Sequence, residues 1–488
     1  GASMLEKGGN AIDAAVATSL ALGACEPAGS GLGGMAMAVV HMAQSGRTFS
    51  LTAPCRAPAL ATPEMVARGE RYRTYTAVAV PSMVSALDHL HSHYGTLTLA
   101  ELMQPAIQIA EQGNPLTQLQ HDLIQHYCKA IRKGNTGNLF LDLTGEPYKP
   151  GHMIRQPQLA ETLGRLADRG LSDFYQGDIA QAIARDMEQN GGYIRLDDLR
   201  QLPPPIESTA LTGTYNAGQV FTLGPPGGGM VLIEMLNLCR AADEHTINQD
   251  TAEGIVRLAK LIQRARKDRR KYRLMIQPDS IGTADRFLSN QYASDTVARL
   301  DASEQGETSH LNVMDRFGNA ISMTQSIERS FGAAVATQQL GFLYNGFLRA
   351  FKVENKRHPY YLRPGAMARS NASPTLVLFN GKPWIAIGST GSERIASGIC
   401  EVLLRLSSHP PFEASHAPRM HCTPEGLVLL EADRYPAACI DALVASGFAI
   451  KRLDPYAFAM GGLQLIIKRD NGFCGVSEPR RDGAAIGI

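Results

Sequence analysis

Four side chains able to take part in proton or acyl transfer gather in one short stretch of this sequence: Thr308, His310, Thr324 and Ser326. Asp315-Arg316-Phe317-Gly318-Asn319 reads as a five-residue turn between two alternating patterns, Thr308 to Met314 and Ala320 to Ile327. Pairing Met314 with Ala320 sets Asn312 opposite Ser322, His310 opposite Thr324 and Thr308 opposite Ser326. Residues two apart share a strand face, so the four fall together on one face of neighbouring strands. A hydroxyl placed there can attack a carbonyl once a base takes its proton. Taken alone, the commoner outcome of such a pattern is a hairpin whose threonines and serines satisfy one another. The register itself depends on the turn.

Other chemistries find less support. The eight cysteines form no C-x-x-C pair and have no His at ligand spacing, so neither a metal site nor any other cofactor is expected. Cys239 and Cys400 lie in apolar runs and read as small core residues. Gly29-Ser30-Gly31-Leu32-Gly33-Gly34 matches G-x-G-x-x-G. A helical pattern precedes it and the strand-like run Met35 to Met42 follows, the reverse of a dinucleotide site, so a tight turn with close backbone approach is expected. The basic run Arg264 to Arg273 reads as a solvated helix face, because no aromatic platform or wider basic surface accompanies it. A formal net charge of +1 gives no reason to expect nucleic acid or a membrane surface as a partner. No apolar run reaches membrane-spanning length. No signal peptide is visible, but the sequence begins at Gly1 without a methionine, which leaves an upstream segment open. The cysteines do not settle the compartment, and the cytoplasm is slightly favoured over the periplasm.

The elements that must hold the hairpin can be read around it. Asn10 and Asp13 form a capping-box pattern ahead of a helix from Ala11 to Ala24. Residues 80–190 are largely helical, with Leu99 to Gly113 and Asp178 to Gln189 the clearest stretches. A strand at Gln219 to Leu223, the turn Gly224 to Gly229 and a helix from Met230 to Cys239 follow. A second hairpin, Leu376 to Phe379 with Trp384 to Ile387, is built around Asn380-Gly381. The turn Gly388-Ser389-Thr390-Gly391-Ser392 then leads to a helix from Ile395 to Leu406. Mixed helix and strand throughout fits a layered α+β or α/β architecture.

Several motifs stand in a set order: Gly8 to Ala15, Gly31 to Gly34, Ala57 to Thr62, Phe174 to Gly177, Asn190 to Gly192 and Pro225 to Gly229. Thr308-Ser309-His310, Ser373-Pro374-Thr375, Gly388 to Ile395 and Ser477 to Arg480 complete the set. Taken together over nearly the full length, they resemble the γ-glutamyltranspeptidase family of N-terminal-nucleophile hydrolases. The resemblance implies an α+β fold, a four-layer αββα sandwich, and a precursor that cuts itself at Glu307–Thr308. Segments 1–307 and 308–488 would then form one interwoven fold and stay associated, with an oligomer left open. Thr308 would be the nucleophile and its freed α-amine the general base. Gly391 and Ser392 would supply oxyanion-hole N–H groups, Ser392 standing where the family has glycine. Ser326 would take the place of a second, supporting threonine.

The same resemblance exposes departures. Pro54 stands where the family's carboxylate-gripping arginine is expected, with Arg56 two residues on, and Ala350 stands where an acid would hold the substrate ammonium. Glu328 replaces an asparagine, and Ser370-Asn371 replaces a serine pair. Arg349, Arg56, Arg369 and Arg394 are candidates for an anionic subsite. The expectation is an amide hydrolase working through an acyl-enzyme on a small anionic amide, oxamate-like or a specialised metabolite. The alternatives are a γ-glutamyl hydrolase or transpeptidase with rearranged contacts, and a non-catalytic binding relative.

Overall fold

The computed structural model describes residues 1–68, 73–243, 247–271 and 308–488. Its main strands are β1 (Met35–Met42), β2 (Arg47–Ala53), β3 (Ile206–Thr209), β4 (Leu211–Tyr215), β5 (Gly218–Thr222), β6 (Ser309–Met314), β7 (Ala320–Ser326), β8 (Thr375–Phe379), β9 (Lys382–Ser389), β10 (Leu463–Arg469) and β11 (Gly472–Val476). They form two antiparallel sheets, ordered β3-β2-β1-β7-β6 and β11-β10-β9-β8-β5-β4. The principal helices are α1 (Ala11–Cys25), α2 (Met83–Tyr94), α3 (Leu99–Gln112), α4 (Pro157–Arg169), α5 (Gly229–Ala241), α6 (Ala252–Lys271) and α7 (Ile395–Leu406).

Side-chain alternation separates the layers. Ala36, Ala38 and Val40 of β1 join Leu311, Val313, Ile321 and Met323 in a core with the apolar residues of α1 to α4. Met35, Met37 and Val39 point the other way, into a core shared with Leu376, Leu378 and Ala386 of the second sheet. The far face of that sheet, through Val220, Val377, Ile385, Ile387 and Leu465, packs on α5, α6 and α7. Period-two burial on both sheets with helices outside gives four layers, αββα, as the family resemblance implies.

The hairpin holds the register read from sequence. Met314 pairs with Ala320, Asn312 with Ser322 and His310 with Thr324. Its turn is closed by Asp315, whose Oδ1 accepts the N–H groups of Phe317 and Asn319, each at 2.9 Å. Asp315 Oδ2 accepts the Ala11 N–H at 2.9 Å, tying the turn to the start of α1. That helix is capped as expected: Asn10 Oδ1 accepts from Ile12 and Asp13, and Asp13 Oδ2 accepts from Asn10. The second hairpin turns through Asn380 and Gly381, with φ of 50° and 73°, the doubly left-handed form that suits strand twist.

One expectation is overturned. The basic run is not a solvated face: Arg266, Asp268 and Arg269 on α6 are buried. Acidic partners make this tolerable, since Arg264 Nε meets Asp268 Oδ2 at 2.6 Å and Arg266 meets Glu393. Arg273, at the end of the run, lies outside the described residues.

Candidate active site

Thr308 stands immediately before β6 and is 9% exposed. Continuing the ladder by one residue sets it opposite Ser326, the last residue of β7. Glu307, on the other side of the expected scissile bond, lies outside the described residues. Ser326 is buried, and its Oγ accepts the N–H of Glu328 at 2.8 Å. The glycine turn before β1 makes the close approach anticipated from sequence. A methyl group on Gly34 would run into the Ser326 carbonyl, and one on Gly33 into that of Leu343. Larger residues there would push the end of β7 away.

His310 is the imidazole nearest Thr308 in sequence, but its ring is fully engaged. Nδ1 lies 2.9 Å from Thr324 Oγ1, and Nε2 lies 3.1 Å from Asn312 Oδ1 and 3.3 Å from Ser322 Oγ. Asn312 gives its amide N–H to the Gln464 carbonyl, so its oxygen faces the ring and Nε2 carries the proton. Burial pushes the His310 pKa down to about 4, with the Asn312 hydrogen bond opposing, so the ring stays neutral. Ser322 reaches further, donating to the Ile387 carbonyl at 3.1 Å and accepting the Thr375 N–H at 3.0 Å. His310 and Ser322 thus bolt one sheet to the other. An imidazole held this way is a spacer rather than a base.

The turn from β9 to α7 ends an interior strand of the second sheet. Gly391 and Ser392 have φ of 101° and 55°, so both take left-handed conformations. For serine this costs on the order of 1 kcal/mol. Asn371 Nδ2 donates to Ser392 Oγ at 2.9 Å and steadies it. Thr390 N–H donates to the Gly462 carbonyl at 2.8 Å, and Gly462 N–H donates to Thr390 Oγ1 at 2.7 Å. Next to Gly462, the Leu463 N–H is taken by Glu478, which is itself paired with Arg419 and Arg480. The Ser477 to Arg480 motif therefore buttresses the turn from behind.

Beyond Ser326 the chain turns sharply at Glu328, which adopts φ of 85°. Arg349 Nη1 pairs with Glu328 Oε1 at 2.9 Å. Burial raises the Glu328 pKa, and the guanidinium groups of Arg349, Arg329, Arg369 and Arg73 oppose that rise. Arg369 also lies within electrostatic reach of Glu393. Ser370 Oγ accepts the Ala372 N–H at 3.0 Å, which shapes the bend that presents Asn371. Pro54 and Ala350 are buried. Arg56 is spent on a loop, its Nη1 donating to the Gly365 carbonyl at 3.0 Å. Arg394 is buried at the start of α7. The hairpin and the turn after it thus bring together Thr308, Ser326, Glu328 and Arg349, and a hydrogen bond joins Asn371 to Ser392. Sequence reasoning missed Arg266, Arg269 and Glu393. The available signal was an acid set between the glycine turn and an apolar helix.

A strand-leading threonine in one sheet of an αββα sandwich, with a left-handed turn ending an interior strand of the other, is the arrangement of an N-terminal-nucleophile amide hydrolase. The sequence profile described as Gamma-glutamyltranspeptidase matches residues 1–488, and the chain belongs to that family. It is 27% identical to the glutathione hydrolase proenzyme of Escherichia coli K12, over 91% of this chain and 84% of the relative. It is 29% identical to the acylase ACY 1 proenzyme of Pseudomonas sp. SE83, over 100% of this chain and 91% of the relative. The crystal structure of cephalosporin acylase from Bacillus halodurans superposes with a TM-score of 0.86 at 26% identity, covering 99% of this chain and 92% of that one. The chain is an amide hydrolase or acyltransferase of a self-processing family.

Proposed function

We propose that the chain cuts its own Glu307–Thr308 bond and that Thr308 then attacks amides whose acyl group is anionic and carries no free α-ammonium. Attack of the Thr308 hydroxyl on the preceding carbonyl breaks the C–N bond, frees the α-amine and leaves an ester, which water then opens to restore the hydroxyl and release the Glu307 carboxyl. That amine, with an ordinary pKa of about 7.7–8.0, accepts the hydroxyl proton in the next round near neutral pH. The acyl group passes to Thr308, the leaving amine takes the proton, and water or a second amine resolves the ester. Gly391 and Ser392 N–H groups stabilise the tetrahedral oxyanion, and Ser326 supports the nucleophile.

The observation that carries the substrate reading is the Glu328–Arg349 ion pair just beyond Ser326. An incoming ammonium would compete with Arg349 for that carboxylate. An incoming carboxylate would meet the field of Arg73, Arg329, Arg349 and Arg369 against one glutamate. Glutaryl p-nitroanilide and γ-glutamyl p-nitroanilide differ by the α-ammonium alone, so they isolate its effect. One uncompensated charge-assisted contact of roughly 1.5–3 kcal/mol predicts about ten- to hundred-fold higher kcat/KM for the glutaryl compound. Arg349→Ala should erase most of that advantage, and oxamate extends the comparison to a minimal anionic amide.

A second reading, a γ-glutamyl hydrolase or transpeptidase with rearranged contacts, is favoured by a different atom. Among the described residues Glu328 Oε2 is buried and accepts no hydrogen bond, its ion-pair partner Arg329 Nε standing 3.7 Å away. It could take an α-ammonium in place of the missing acid at Ala350. Efficient γ-glutamyl turnover that survives Arg349→Ala but not Glu328→Ala would select this reading and refute the first.

A further inference from the structure

Helix α6 places Arg266 and Arg269 three residues apart, hence on one side of the helix, and both are buried. Arg266 Nη2 pairs with Glu393 Oε2, the two side chains being 3% and 6% exposed. Arg269 Nη2 donates to the Ser370 carbonyl at 3.3 Å. Glu393 directly follows Ser392. Ser370 directly precedes Asn371, whose amide holds Ser392 Oγ. Arg266 therefore grips the residue after the left-handed turn, and Arg269 grips the segment whose Asn371 holds Ser392. Burial pushes the Glu393 pKa up, but Arg266, Arg269 and Arg369 outweigh it and keep the carboxyl ionised.

We infer that Arg266 and Arg269 are positioning residues for acyl transfer, holding the Gly391-Ser392 N–H groups in place through Glu393 and through Ser370-Asn371. The inference rests on the reading of that turn as the oxyanion hole. Two considerations drive it. Serine does not favour φ near 55°, so the turn needs restraint from outside. N–H donors accelerate reaction only if they are already aimed when charge develops. The restraint also crosses the expected cut: α6 lies before residue 307, and the turn lies after it.

The test replaces both charges together, because removing one would strand the other in the interior. The double variant Arg266→Met/Glu393→Gln is assayed with glutaryl p-nitroanilide, with active sites counted by the p-nitroaniline burst or by mass spectrometry of the acyl-enzyme. The expected result is kcat per counted site reduced ten- to hundred-fold, with KM within threefold. The swapped pair Arg266→Glu/Glu393→Arg should recover at least part of the loss. A role in folding alone would lower the number of sites and leave each at full rate, and that outcome overturns the inference. Two controls separate it from the underlying reading. Gly391→Val cannot hold φ of 101° and should lose turnover, and if it does not, the oxyanion assignment falls. Thr308→Ala should be inactive, and if it is not, the nucleophile assignment falls. Both controls inactive beside a double variant with full per-site kcat would reject the positioning role alone.

Discussion

Gly388→Ala sets one methyl group against the His310 ring. A Cβ built on Gly388 lands on Cε1, Nε2 and Nδ1 of that imidazole. The ring cannot swing aside cheaply, because Thr324, Asn312 and Ser322 hold it and it is buried. Displacing it costs two neutral hydrogen bonds at about 1 kcal/mol each and an overpacking strain of about 1–3 kcal/mol, for a total of about 3–5 kcal/mol. His310 follows Thr308 by two residues, about 7 Å along the strand, so the movement reaches Thr308. Self-cleavage should slow by more than tenfold, read from the time course of fragment appearance on denaturing gels. The urea midpoint should fall in parallel. The double variant Gly388→Ala/His310→Ala supplies the check: the methyl then occupies vacated space, and stability should recover relative to Gly388→Ala. A Gly388→Ala protein as stable and as fast as the parent, or a double variant showing only the sum of the single losses, would refute the reasoning.

Two further outcomes are expected. Thr308→Ala should remain a single chain of 488 residues, whereas the parent yields a fragment beginning Thr-Ser-His-Leu by N-terminal sequencing; cleavage of the alanine variant at the same bond would sink the mechanism. Burial raises the Glu401 pKa from 4.5 to about 7, so the folded state binds that proton more tightly than the unfolded state. Its stabilising contribution is complete below pH 4.5 and is lost as pH rises toward 7, an effect on the order of 3 kcal/mol. Urea unfolding at pH 5 and pH 7.5 should show a smaller difference in Glu401→Gln than in the parent.

What the sequence revealed and what it hid differ in range. The hairpin after Thr308 was legible because its determinants are local: an Asp-initiated turn, alternating burial and a polar face spaced two residues apart. The helix Ile395–Leu406 was legible to the residue because a glycine turn precedes a strongly apolar run. The αββα layering came from family resemblance, since strand patterns alone do not say which sheet each strand joins. Arg266 was misread because the charge that lets it be buried, Glu393, lies far along the chain. A cluster of arginines on a helix looks solvated until its partners are known. Arg349 and Glu328 were each visible as departures from the family, but their pairing is a three-dimensional fact.

The order of strands in the two sheets has a consequence for the processed protein. In the first, β1, β2 and β3 come from before residue 307, and β6 and β7 come from after it. In the second, β5 from the earlier segment, with β4 paired outside it, hydrogen-bonds onto β8 from the later one. The proposed cut before Thr308 would turn both intramolecular sheets into a subunit interface without moving a strand. From then on unfolding is a dissociation, and its midpoint must rise with protein concentration, which it could not do in the uncut precursor. If the proposed cut occurs, the covalent link is present while the strands find their partners and absent afterwards, so heat inactivation of the cut form at high dilution should not reverse on cooling.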